Sequence, residues 1–208
     1  MKVLMINGSP KSEGSTATAL KELAKIFEAE GIESEIFNIG TPIVRDCIGC
    51  GKCYKNGGTC VFDDDCVNDL IERAKHSDGF VFGTPVYYAH PSGMLLSLLN
   101  RVFYAGGANF AHKPGATIAC ARRAGTTTSL DVLNKYLTIS QMPVVSSTYW
   151  NGIYGRKGEE VLQDEEGRQT LENLARNMAW MLKCISVAKE QGIEPPKNPK
   201  IKRTNFIR

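Results

Sequence analysis

"KVLMINGSPKSEGSTATALKELAKIF", Lys2 to Phe27, sets the architecture. Lys2–Asn7 is a short apolar run that stops at Gly8, the mark of a buried strand. A polar loop follows. Thr16–Glu30 then shows helical spacing, with Ala17, Leu20, Leu23, Ala24 and Phe27 on one face and Gly31 as the C-terminal stop.

The same alternation continues along the chain. Ser34–Ile39 reads as a second strand, Val67–Lys75 as a short helix, and Gly79–Pro85 as a third buried strand ended by Gly and Pro. Ser92–Phe103 is helical, Gly115–Ala121 is a fourth strand, and Thr126–Ile139 is helical. Met142–Ser147 is a fifth strand, and Gln163–Lys189 is a long terminal helix. Apolar strands alternate with amphipathic helices and no hairpin signal intervenes. This predicts an α/β protein: a flavodoxin-like, doubly wound, five-stranded parallel sheet of order 2-1-3-4-5 with helices on both faces. Such sheets take ligands outside the carboxyl ends of their strands, at the switch point between the first and third.

At 208 residues and 42% apolar, the chain can bury one sizeable core. We expect one domain over residues 1–190, with a cysteine-rich loop at 46–66 and a basic tail at 191–208. No apolar stretch is long enough to span a membrane. The N-terminus is interrupted too soon for a signal peptide. The last fourteen residues hold five of the 25 Lys/Arg and no acid, so the net charge of +3 leaves about −2 for residues 1–194. A near-neutral body argues against a nucleic-acid partner. The tail "KIKRTNFIR" reads as a solvated extension or a subunit-clasping arm. Seven cysteines without a secretion signal, four of them in one loop, suggest reduced thiols or metal ligands in the cytoplasm.

The loop "NGSPKSEGSTAT" (Asn7–Thr18) offers hydroxyls, glycines, Lys11 and a helix N-terminus. Together these make a phosphate cradle; the alternative is an ordinary βα loop capped by Ser15. No Gly-Lys-Ser/Thr or G-x-G-x-x-G is present, so a single terminal phosphate such as that of FMN fits. "GTPVYYAHPSG" (Gly83–Gly93) presents Tyr87 and Tyr88 as stacking faces, with main-chain groups from Val86 to His90 for a ring edge. "ARRAGTTT" (Ala121–Thr128) places Arg122 and Arg123 at a helix start, where a cation would face a reduced flavin or a nicotinamide cofactor phosphate. At least one of the two is expected to be a plain surface arginine. The aromatic "TYWNGIYG" (Thr148–Gly155) is placed to wall the same cleft. His90 and His112 read as loop residues, His90 being the nearer to the flavin.

The motifs "GSPKSEGST", the cysteine loop running into "DDD", "GTPVYYAHPSGMLLSLLNR" and "ARRAGTTT" jointly resemble the NAD(P)H-dependent FMN reductases of the flavodoxin-like superfamily. The resemblance spans residues 1–150. It implies that Ser9, Lys11, Ser15, Thr16 and Ala17 hold the FMN phosphate. It further implies that Pro85, Val86, Tyr87 and Tyr88 lie along the isoalloxazine, and that Ala121, Arg122 and Gly125 border it. Ser15 departs from the Asn often found there. The implied activity is an FMN-dependent oxidoreductase. It takes a hydride from NAD(P)H and passes electrons to a quinone, a flavin, an aromatic compound or an iron–sulfur acceptor. The implied state is a homodimer or homotetramer. The rival reading is an electron-transfer protein fed by ferredoxin, with no NAD(P)H activity.

Cys47, Cys50, Cys53 and Cys60 are spaced C-x2-C-x2-C-x6-C, which also resembles the compact motif of iron–sulfur flavoproteins. Three such cysteines can wrap one [4Fe–4S] cubane, Cys60 supplying the fourth ligand after a return through Gly57 and Gly58. Zinc sites usually pair two knuckles across a longer gap, and C-x-x-C redox pairs normally open a helix, which nothing predicts here. A bound cluster and a loop of reduced thiols both remain open from sequence. Cys66 is expected to stand apart from the set.

Overall fold

The computed structural model describes residues 1–199 and Thr204. Strand β1 (Lys2–Asn7) lies inside the sheet, and its side chains divide between two apolar layers. Val3 and Met5 join the layer made with helices α1 (Ser15–Ala29) and α6 (Glu165–Glu190). Leu4 and Ile6 join the layer made with α2 (Val67–Lys75), α3 (Gly93–Gly106) and α4 (Thr126–Ile139). Strand β3 (Gly79–Tyr87) repeats the division, with Val81 on the first face and Phe80 and Phe82 on the second.

The remaining elements are β2 (Glu33–Asn38), β4 (His90–Pro91), β5 (Gly115–Ala121), β6 (Gly152–Tyr154) and the short α5 (Gly158–Val161). The parallel order is β2-β1-β3-β5-β6, with β4 antiparallel to β3. The five parallel strands therefore follow the expected flavodoxin-like order, and helices cover both faces. No helix among the described residues is long and apolar enough to cross a membrane.

Two expectations need correcting. The fifth parallel strand is Gly152–Tyr154, not Met142–Ser147. The Met142–Ser147 run touches β5 at one place: the Gly115 amide donates to the Pro143 carbonyl at 2.9 Å, and the Val145 amide to the Gly115 carbonyl at 2.8 Å. Helix α6 then draws the chain off the edge. Asn177 Nδ2 donates to the Ser146 carbonyl, and Ser147 Oγ donates to the Thr170 carbonyl at 2.6 Å. The strand resumes once Asn151 Nδ2 satisfies the Thr117 carbonyl and the Ala119 amide donates to the Asn151 carbonyl. The second correction is the tight hairpin between β3 and β4. It turns through Tyr88 and Ala89, which carry none of the Asn or Gly signals of such turns. Tyr88 adopts φ 59°, a left-handed backbone costly for a non-glycine residue.

In the tail, residues 191–199 are exposed and Asn198 Nδ2 donates to Gln141 Oε1. Apart from Thr204, the expected arm at 200–208 lies outside the described residues.

Candidate functional site

The cleft at the switch point is built first by Asn7, fully buried at the end of β1. Its Nδ2 donates to the Lys11 carbonyl at 2.9 Å and to Asn38 Oδ1 at 2.8 Å, and its Oδ1 accepts the Ser9 amide at 3.1 Å. The Lys11 amide in turn donates to Ser9 Oγ at 3.2 Å. One side chain thus fixes the turn that leads into α1. Gly8 lets this turn touch β3: its amide donates to the Gly83 carbonyl at 2.8 Å, and a Cβ there would lie 2.7 Å from that oxygen.

Helix α1 begins without a capping side chain. Gly14 holds the N-cap position, and the first helical amide bond runs from Thr18 to the Gly14 carbonyl. Ser15, read from sequence as a cap, is the first helical residue, and its hydroxyl donates to the Gly155 carbonyl at 2.9 Å. The amides of Ser15, Thr16 and Ala17 therefore lack intrahelical partners at the positive end of the helix dipole. Gly14, Ser15 and Thr16, at this helix start, line a cleft of about 670 Å³, within the usual size range of a cofactor pocket.

Of the residues expected at the site, Ser9, Lys11, Ser15 and Thr16 line one side of this cleft, and Pro85, Val86, Tyr87, Ala121 and Arg122 line the other. Three do not line it. The Ala17 side chain is buried in the core, leaving only its amide. Tyr88 is fully exposed at the hairpin tip. Gly125 sits behind the loop at φ 91°, where a Cβ would come within 2.8 Å of Val86; it sets the spacing between the loops after β3 and β5. Arg123 is exposed and outside the lining, as one of the arginine pair was expected to be, and so is His90, paired with Tyr87 in β4. The aromatic run Thr148–Tyr154 also stays out of the lining; only Gly155 of that stretch reaches it.

Sequence reasoning missed Lys21, Arg156 and Lys157, which share the lining with Glu13 and Glu159. Arg156 and Lys157 arrive through the turn after β6, the strand that was misplaced. At the floor, burial pushes the Cys120 thiol up to about 12, so it stays protonated and unreactive at neutral pH.

The cysteine loop also follows a carboxyl strand end, that of β2. Cys47, Cys50, Cys53 and Cys60 all line one small pocket, walled by Ile48, Val61, Phe62 and Tyr104. Glycines 49, 51, 57 and 58 take positive φ and allow the chain to coil around it. The Gly49 amide approaches Cys47 Sγ at 3.5 Å, and Cys53 Sγ donates to the Tyr104 carbonyl at 3.7 Å. A three-residue helical turn, Lys52–Tyr54, carries Cys53, where no helix was expected. The loop is clamped from outside: Arg45 pairs with Asp64, and Asp46 accepts from Asn100 at 2.8 Å. Buried Arg101 pairs with Asp65. Burial opposes the Arg101 charge, but Asp65 and Cys60 outweigh it and hold its pKa above the ordinary arginine value. Cys66 precedes α2, packs against the core beside it, and stays outside the pocket; burial pushes its thiol up. Among the described residues no three His, Cys, Asp or Glu side chains converge on a single ion. A cubane asks for something different, because each of its thiolates binds a separate iron. Four thiols around one apolar-walled pocket fit that donor set in kind.

A doubly wound sheet of this order, with its cleft between the first and third strands, defines the flavodoxin-like class. The structure superposes on an archaeal flavodoxin with a TM-score of 0.60 at 12% identity, over 88% of this chain and 99% of that one. The NADPH-dependent FMN reductase family matches residues 1–155; the chain belongs to that family and is by that membership an FMN-dependent oxidoreductase. It is 30% identical to an iron–sulfur flavoprotein of Methanocaldococcus jannaschii, over 89% of this chain and 99% of the relative. It is 26% identical to an NADPH azoreductase of Bacillus sp. (strain OY1-2), over 93% and 100%.

Proposed function

We propose that this protein takes a hydride from NAD(P)H onto FMN and passes the electrons to a quinone, a flavin, an aromatic compound or an iron–sulfur acceptor. The observation that carries this reading is the uncapped start of α1, facing a cleft shared with Tyr87 and Arg122. Bound FMN supplies the hydride and electron chemistry. The residues do the rest. Ser9, Lys11, Ser15, Thr16 and the Ala17 amide hold the phosphate. Pro85, Val86, Tyr87 and Tyr88 flank the ring system, Tyr88 from the hairpin tip. Ala121 and Arg122 border the ring edge, with Gly125 spacing the loops behind them, and the Arg122 charge favours a reduced, anionic flavin.

The test is direct. Purified protein takes up FMN, and anaerobic NADPH or NADH bleaches its absorbance. Protein that stays colourless with added FMN, or bound FMN that neither nucleotide bleaches, overturns the reading.

One observation favours a second function, electron transfer fed by ferredoxin without NAD(P)H activity: the four cysteines share a pocket. In either function Cys47, Cys50, Cys53 and Cys60 would hold a [4Fe–4S] cluster, which supplies one-electron chemistry. About four irons per chain in anaerobically purified protein support the cluster. Reduction by ferredoxin but not by NAD(P)H selects the second function. We further propose a cytoplasmic homodimer or homotetramer with a basic tail at 191–208, acting on a small-molecule or protein redox partner rather than on nucleic acid or a membrane. Sedimentation equilibrium measures the assembly.

A further inference from the structure

Arg101 is 1% exposed and sits on α3 within "LLNRVF", where an apolar residue would continue the buried face. Every side of its guanidinium is engaged. Nη1 donates to Asp65, whose side chain is itself 2% exposed, and to the Arg45 carbonyl at 3.3 Å. Nη2 donates to the Phe62 carbonyl at 3.2 Å. Nε donates to Cys60 Sγ at 3.3 Å. Among the described residues, Cys60 is the only one of the four loop cysteines whose sulfur meets a charged donor. Nothing in the flavin cleft uses this arginine.

A buried ion pair is a poor device for stability alone, since well-packed apolar side chains do as well. Its placement against a sulfur is informative. Resting on the cluster reading above, we infer that Arg101, held by Asp65, is a positioning residue of the cysteine pocket: it fixes the Cys60 sulfur and raises the reduction potential of the cluster carried there. A cluster ligated by four thiolates is anionic and gains negative charge on reduction. A fixed cation donating to one of its sulfurs therefore stabilises the reduced state. Asp65 pairs with Nη1 rather than with the Nε that meets Cys60, and its negative charge works in the opposite direction. The two residues thus have opposite electrostatic signs although they form one structural unit.

That opposition supplies the test. Wild type, Arg101→Gln, Asp65→Asn and the double variant are purified anaerobically, iron and sulfide are counted, and the cluster is titrated with EPR detection. Arg101→Gln lowers the reduction equilibrium by about tenfold, about 59 mV for a one-electron couple. Asp65→Asn raises it. The double variant leaves no unpaired buried charge and decides the matter where Arg101→Gln fails to fold; its difference from Asp65→Asn isolates Arg101, and its potential falls below that of wild type. Equal potentials in all four proteins, or shifts of one sign in both single variants, overturn the inference. Wild type without iron overturns the cluster reading itself, and the inference with it.

Discussion

Asn7 shows how much of a loop one buried amide can hold. Its side chain meets the Ser9 amide, the Lys11 carbonyl and Asn38 at once. Asn7→Ala leaves the buried Ser9 amide unpaired and frees the Lys11 carbonyl and Asn38 toward solvent; the unpaired amide costs about 1–3 kcal/mol. We expect a lower urea midpoint and weaker FMN binding, read by flavin fluorescence quenching. Lys113 offers a residue-scale test in pH. Its amine donates to the Ala74 carbonyl at 3.0 Å, near the end of α2, and lies over the Phe80 ring. Burial pushes its pKa below 10.5, with Asp78 opposing. Between the depressed folded value and 10.5 the unfolded chain binds more protons, so stability from this residue rises with pH across that window. Lys113→Met therefore compares best with wild type near neutrality and loses ground as pH climbs toward 10.5 in urea melts. Sequence could not single out such residues. Arg101 reads as an interruption in an apolar helix because its partner Asp65 is remote in the chain and looks like one of three surface aspartates.

At the scale of elements, α1 starts without a side-chain cap. Its N-cap is a glycine in extended backbone, with room for a side chain beside Lys11. Gly14→Asp supplies the missing cap and a negative charge at the helix start, worth about 0.3–1 kcal/mol. The apo protein should melt higher while FMN affinity falls, since the carboxylate occupies and repels what the phosphate would meet. Paired calorimetry and flavin titration measure both. Elements with strong local patterns were legible: β1, α2, β5 and α4 have the bounds their sequences predict. The edge strand was not. "MPVVSS" carries the apolar β-branched signal, but α6 captures Ser146 and Ser147 through contacts remote in the chain. "GIY" is too short to show a period. Misplacing that strand hid Arg156 and Lys157, so the part of the cleft after β6 was lost with it. The loops after β1, β3 and β5 were found because strand ends at a switch point follow from strand order alone.

At the scale of the whole molecule, the cleft proposed for FMN and the cysteine pocket share no lining residue, although both follow carboxyl strand ends. Gly14→Asp and Cys50→Ser should therefore act independently on FMN binding, the double variant matching the summed effects within about 0.5 kcal/mol. A larger coupling in the flavin titrations would show that the two sites share a mechanical connection. The layer beneath α1 has a different consequence, in the timing of synthesis. Leu20, Leu23 and Phe27 are covered by Leu171, Leu174, Met178 and Leu182 of α6. At ~5–20 residues per second the ribosome takes on the order of ten seconds to deliver that cover. Until then the growing chain lacks the α6 half of this layer, so Leu20, Leu23 and Phe27 of α1 stay uncovered on that side, and a nascent chain stalled before Leu182 becomes a client for chaperones.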